Sequence, residues 1–136
     1  MARLSVGSGN DISVPIYIES RYRVNRKRIK QAVVDALAKN SVTGSVEVSV
    51  AIVGSRKMKQ LNKKYRNQDK ATNVLSFPQA EGGASPAIPD RLYLGDVVIS
   101  YPVVIEEAAQ YNKLVDDWTC ELVEHGVTHL LGIHHK

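Results

Sequence analysis

The last twelve residues constrain this chain more than any other stretch. His125, His129 and His135 follow the spacing H-x-x-x-H-x-x-x-x-x-H, with Gly132 between the second and third. Histidines four apart sit a turn above one another on a single helix face. The chain must therefore end in a helix that presents two imidazoles on one side. Gly132 stands where that helix should stop, because a residue without Cβ readily takes the left-handed conformation that turns the chain back. The return would carry His135 toward the first two rings. Three neutral imidazoles with one position left to water make the ligand set of a catalytic zinc centre. One Zn²⁺ per chain is expected, held by His125, His129 and His135. All 4 histidines of the chain lie in this segment.

In H-E-x-x-H peptidases the residue after the first histidine is the glutamate that serves as general base. Here it is Gly126. The ligand spacing survives without the peptidase base, which argues against a standard zinc-protease mechanism. A structural zinc is the blander alternative. Against it stands the lack of a fourth Cys or His ligand, since structural sites are usually closed. Cys120, five residues before His125, lies about 140° around the helix from it and reads as a small core residue.

The rest of the chain bounds what such a centre can serve. At 136 residues it is one domain, long enough for a hydrophobic core. No apolar run approaches the ~18 residues of a membrane span and nothing resembles a signal peptide, so no membrane partner is expected. A single cysteine makes no internal disulfide, which fits a reducing cytoplasm. The net charge of +4 is unevenly spread. Residues 21–30 hold six basic side chains and residues 56–70 hold seven, 13 of the 18 in the chain, with Asp69 the only acid between them. Residues 101–136 hold six acids against two bases. Runs of this kind are ordinarily solvated faces, but cations opening a helix work against its dipole, so the first run is equally a candidate to bind RNA.

Alternating strand and helix signals predict an α/β (α+β) domain, a sheet of about four strands covered by helices. Residues 14–19 read as an edge strand able to tolerate Pro15. Asn25 caps a helix over about 26–39, with Ile29, Val33, Ala36 and Leu37 inward. Residues 46–53 alternate as a half-buried strand does. A short helix from about 55 to 66 turns Met58, Leu61 and Tyr65 to the core. Strands follow at 73–77 and 92–100, separated by a loop over 79–89 rich in small residues and proline. Because a loop rather than a helix joins those strands, the sheet should be mixed. Ser100 and Pro102 open a helix to about 112. The final helix, about 116–131, carries Trp118, Leu122, His125 and His129 on one stripe and Val123, Val127, Leu130 and Leu131 on another, so it should be mostly buried.

Three linked segments resemble the YbeY family of bacterial rRNA maturation factors. One is His-Gly-Val-Thr-His-Leu-Leu-Gly-Ile-His-His at 125–135. Another is Leu61-Asn62, Tyr65-Arg66 and Asp69-Lys70 followed by Thr72-Asn73-Val74-Leu75-Ser76-Phe77-Pro78. The third is Leu94-Gly95-Asp96-Val97-Val98-Ile99-Ser100. The resemblance implies a zinc-dependent, single-strand-specific endoribonuclease that matures the 3′ end of small-subunit ribosomal RNA and takes part in ribosome quality control. It implies contacts with the small ribosomal subunit and assembly factors. By position it makes His125, His129 and His135 the zinc ligands and Arg66 the active-site arginine, so that Arg66 and His125 carry catalysis. One position departs from the family's motif, His134 standing where aspartate is usual.

Residue chemistry leads to the same reaction class. Cleaving a phosphodiester needs charge stabilisation on the non-bridging oxygens, and zinc activates water near neutral pH without a carboxylate base. A guanidinium such as Arg66 offers bidentate donors and stays charged, although alone it reads more readily as a solvated helix-end cation, a reading that the resemblance reverses. Arg26, Arg28, Lys63 and Lys64 are candidate RNA contacts beside it. Asp96 either accepts the second N–H of a histidine or makes a structural hydrogen bond. Asn73 and Ser76 are candidates to line the cleft, Asn73 beside the metal ligands, and Glu121 is either a histidine partner or surface. Three functions remain open: an endoribonuclease, a zinc hydrolase acting on peptides, and a non-catalytic ribosome-assembly module with a structural zinc.

Overall fold

The computed structural model describes residues 11–68, 72–79 and 91–132. Along the chain run β1 (Asp11–Ser13), β2 (Ile16–Ile18), α1 (Arg26–Lys39), β3 (Ser45–Val53), α2 (Ser55–Arg66), β4 (Val74–Pro78), β5 (Leu92–Ser100), α3 (Tyr101–Gln110) and α4 (Val115–Leu130). β3 lies beside β5, and β5 beside β4, while β1 and β2 both pair with the other side of β3. All pairs are parallel except β4 with β5, which is antiparallel. The sheet is thus mixed, as the loop between its last two strands predicts. Where one N-terminal edge strand is expected, the structure has two. Val14 and Pro15 divide them, because proline has no N–H to continue a ladder. The Pro15 carbonyl is still used, accepting from the Val50 N–H at 2.9 Å.

The two faces of the sheet are covered unequally. On one face Val46, Val48, Val50, Ile52, Val97 and Ile99 meet α1 and α4 in the main core, with Ile29, Val33 and Leu37 from α1 and Leu122, Val123 and Val127 from α4. On the other, α2 alone contributes Met58 to a smaller cluster with Val53, Leu75 and Val98. Full burial of each such aliphatic side chain stabilises by roughly 1.5–3 kcal/mol, so the first face holds most of the fold together.

Two local expectations are corrected. Tyr65 does not face the core. It is exposed, and its ring meets Phe77 edge-on at 5.0 Å, while the buried α2 positions are Met58 and Asn62. Ser100 stands at the N-cap of α3, but its hydroxyl caps nothing and is buried without a hydrogen-bond partner. Asn25, by contrast, caps α1 as expected, accepting from the Arg28 N–H at 3.1 Å. Of the expected loop over 79–89, only Gln79 falls among the described residues.

Candidate active site

The helix that ends the described chain is wrapped on nearly all sides. Of its residues only Glu121, His125 and His129 are exposed, spaced four apart in one line. The mostly buried helix expected from two stripes is therefore present, and the stripe left open is the one carrying the histidines. Their ring centroids lie 4.4 Å apart with the planes tilted by 56°. Asp116 and Asp117 occupy the first turn of α4 and His129 the last. The acids thus sit at the positive end of the helix dipole and the imidazoles toward the negative end, where a cation is favoured. Gly132 has φ +72°, the left-handed turn that the sequence pattern requires.

Zinc fits this donor set. Two adjacent imidazoles on a rigid, half-buried helix can share one tetrahedral ion, and the helix end favours its charge. His134 and His135 lie outside the described residues, and among the described residues no three of His, Cys, Asp and Glu come together. These residues supply two of the three expected ligands.

Gly126 explains why no peptidase base follows His125. A Cβ at this position would lie 2.6 Å from Val97 Cγ1 and 3.3 Å from Ser76 Oγ. The residue is pressed against the sheet rather than turned to the cleft, and the Ser76 hydroxyl donates to its carbonyl at 2.9 Å. A glutamate there would collide with β5 before reaching any ligand, since packed interiors give little.

A cleft of about 290 Å³ brings Arg66, Asn73, Val74, Ser76, Pro78, His125 and His129 together at the β4 edge of the sheet. Arg66 arrives as the last residue of α2, where Asn67 takes a left-handed φ of 57° and stops the helix. Lys63, Lys64 and Arg66 all sit in that last turn, in favourable alignment with the helix dipole. Asn73 is held from behind. Its Nδ2 donates to Glu107 Oε1 at 3.0 Å, and Trp118 Nε1 donates to the same oxygen at 3.0 Å. Sequence reasoning missed Glu107, one of two adjacent carboxylates on α3 that nothing in the sequence tells apart. Trp118 is half-buried beside the site, with its ring edge-on to Tyr111 at 5.3 Å.

Other candidates lie elsewhere. Asp96 does not orient His125 or His129. Its neighbour Val97 faces α4, so Asp96 points to the opposite side of the sheet, where its carboxylate accepts from the Tyr93 hydroxyl. Burial, and then Asp96, push that phenol up to about 12. Glu121 is surface and pairs with Lys113 at 2.9 Å. Arg26 donates to the Ile16 carbonyl at 3.2 Å, and Arg28 is paired with Asp117 at 2.8 Å. Asp117 precedes His129 by twelve residues on α4, about 18 Å along the axis. The structure thus separates Arg28, at the start of α1, from the histidines while bringing the α2 terminus to them. Cys120 is half-buried, its thiol pushed up chiefly by burial.

Comparison with known proteins agrees with this geometry. The family described as Endoribonuclease YbeY matches residues 16–136. An Endoribonuclease YbeY from Azoarcus is 40% identical over 99 residues, 73% of this chain and 39% of that protein. One from Acinetobacter baumannii is 37% identical over 113 residues, 83% of this chain and 72% of its own. One from Roseiflexus castenholzii is 35% identical over 129 residues, 93% and 81%. The solution structure of a Thermotoga maritima protein aligns with a TM-score of 0.54 at 27% identity, covering 90% of this chain and 75% of that one. The family match spans β2 to the histidine segment and the relatives share it, so the chain belongs to the YbeY family of endoribonucleases.

Proposed function

We propose that this chain is a zinc-dependent endoribonuclease that cuts single-stranded RNA in the cytoplasm. Its substrate is the 3′ end of small-subunit ribosomal RNA, and it acts in maturation and quality control alongside the small subunit and assembly factors. The observation that carries the reading is the meeting of Arg66, from the middle of the sequence, with His125 and His129 in one cleft. Bound zinc supplies Lewis-acid stabilisation and water activation near neutral pH. Arg66 supplies two parallel donors for the non-bridging oxygens of a phosphodiester, and its charge does not titrate. Glu107 fixes the amide of Asn73 beside this pair. Charge stabilisation of this kind contributes most when its donors are already in place. Within the described chain Gly126 leaves no room for a carboxylate base after His125, so the reading as a peptide hydrolase has nothing in the cleft to support it.

The test is metal content and RNA turnover measured together. His125→Ala and His129→Ala should each lose zinc by elemental analysis and lose cleavage of a single-stranded RNA by at least ~100-fold. Both side chains are exposed, so the fold should persist. Undiminished zinc with undiminished cleavage would overturn the assignment. RNA binding without turnover, insensitive to His129→Ala, would favour an assembly module instead.

A further inference from the structure

The α2-covered face of the sheet holds a cavity of about 820 Å³ that the cleavage site does not use. Its walls are predominantly apolar, and Tyr17, Tyr65 and Phe77 give it an aromatic lining, with Asp96 and Lys57 also among the lining residues. Tyr17 is 62% and Tyr65 56% exposed, although both are large rings bordering an apolar hollow. The cavity borders the catalytic cleft at the end of β4. Pro78 lines both, and the neighbours Tyr65 and Arg66 line one each. A phosphate on Arg66 would thus stand one residue along α2 from a ring that lines the cavity.

We propose that this cavity is a nucleobase subsite, taking an unstacked base from a nucleotide next to the phosphate held at Arg66. The inference rests on the endoribonuclease reading of the adjoining cleft. Exposed tyrosines beside a cationic helix form the combination that binds single-stranded nucleic acid, rings for the bases and cations for the backbone. Polarity decides which end of the nucleotide enters. The Asp96 carboxylate, set among apolar walls, repels a phosphate and offers an acceptor to the amino and imino groups of a base. Lys57 lines the cavity and Arg66 the adjoining cleft, where both remain available to the backbone. Lys64 holds its ammonium 5.1 Å from the Tyr65 ring centroid, which adds positive charge at the same border. A base can enter only after leaving its stack, so paired RNA is excluded by geometry.

The experiment compares two 2′-O-methyl octamers on the metal-loaded full chain by fluorescence anisotropy. One carries adenine at every position and the other is an abasic ribose-phosphate chain of the same length and charge. The wild type should bind the adenine octamer at least ~10-fold more tightly, within the range that base–aromatic stacking gives. The double substitution Tyr17→Leu with Tyr65→Leu should cut that preference below ~2-fold with zinc content unchanged. Lys57→Ala should weaken both octamers about equally. Equal binding of the two octamers by the wild type, or a preference surviving in the tyrosine variant, would overturn the subsite and leave the cavity to another occupant such as an apolar protein side chain. Cleavage of unmodified RNA is scored separately. Turnover with equal octamer binding removes the subsite and keeps the enzyme, whereas a tyrosine-dependent base preference without turnover keeps the subsite and removes the enzyme.

Discussion

The two cation-rich segments look alike in sequence and end in opposite situations. In α1 the charges open the helix. Arg28 is paired with Asp117, a bond that holds its proton more tightly than usual, and Arg26 is spent on the Ile16 carbonyl. In α2 three of the cations, Lys63, Lys64 and Arg66, close the helix, aligned with its dipole, and among the described residues no α2 cation has a carboxylate within ion-pair distance. In the first run Arg28 ties α1 to α4 and Arg26 ties it to β2. In the second run Arg66 reaches the cleft that holds the histidines. Density of charge is therefore a poor guide to an RNA face, and the position of the acids decides.

The sharpest way to break this contrast is to reverse one charge in each segment. Arg66→Glu and Arg28→Glu change the net charge identically. Arg66→Glu should lower kcat/KM for single-stranded RNA by at least ~100-fold, the scale of removing a donor aimed at transition-state charge, while zinc stays bound. Arg28→Glu should change it by less than ~3-fold and register in stability, since the new carboxylate faces Asp117. Similar losses of turnover would mean that both runs meet the RNA.

The extent to which this was readable beforehand follows from the physics of each feature. The helix pair of histidines and the glycine stop are local, fixed by spacing and by φ, and the structure shows His125, His129 and Gly132 as expected. The mixed sheet was legible because a strand joined to its neighbour by a loop need not cross over. What the sequence hid depends on long-range placement. The face on which Asp96 points is set by its register against Ser49, after a shift between Glu47 and Val48. One residue of slip moves a side chain to the other face of a sheet. Glu107 comes to Asn73 only through the packing of α3, and Arg28 finds Asp117 across 89 residues. No window of sequence contains either meeting.

Salt dependence sharpens the contrast at a smaller scale. For single strands the slope of log K against log salt is about −0.7 for each phosphate contact. Lys63→Ala with Lys64→Ala should flatten the slope by about 1.4 if both ammonium groups meet phosphates, and should weaken binding evenly across sequences. Arg26→Ala with Lys27→Ala should leave the slope as it was. A flat dependence in the wild type would mean that neither run engages the backbone.

The smallest effect tests the structural half of the comparison. The Arg28–Asp117 pair is nearly half exposed on both sides, 45% and 47% of the side chains, so water and salt screen it heavily. Arg28→Ala should lower Tm by about a degree, and less at ~0.5 M salt, because the contribution is an exposed ion pair at the positive end of α4. Asp117→Ala in the Arg28→Ala background should cost less than Asp117→Ala alone, since the partner is already gone. Arg66→Ala, with no carboxylate within ion-pair distance among the described residues, should leave Tm unmoved. The reverse pattern, with Arg28→Ala silent in Tm but weakening RNA binding, would make the crossing between α1 and α4 a binding surface. The acids of α4 would then steer RNA away from the first turn instead of tying two helices together.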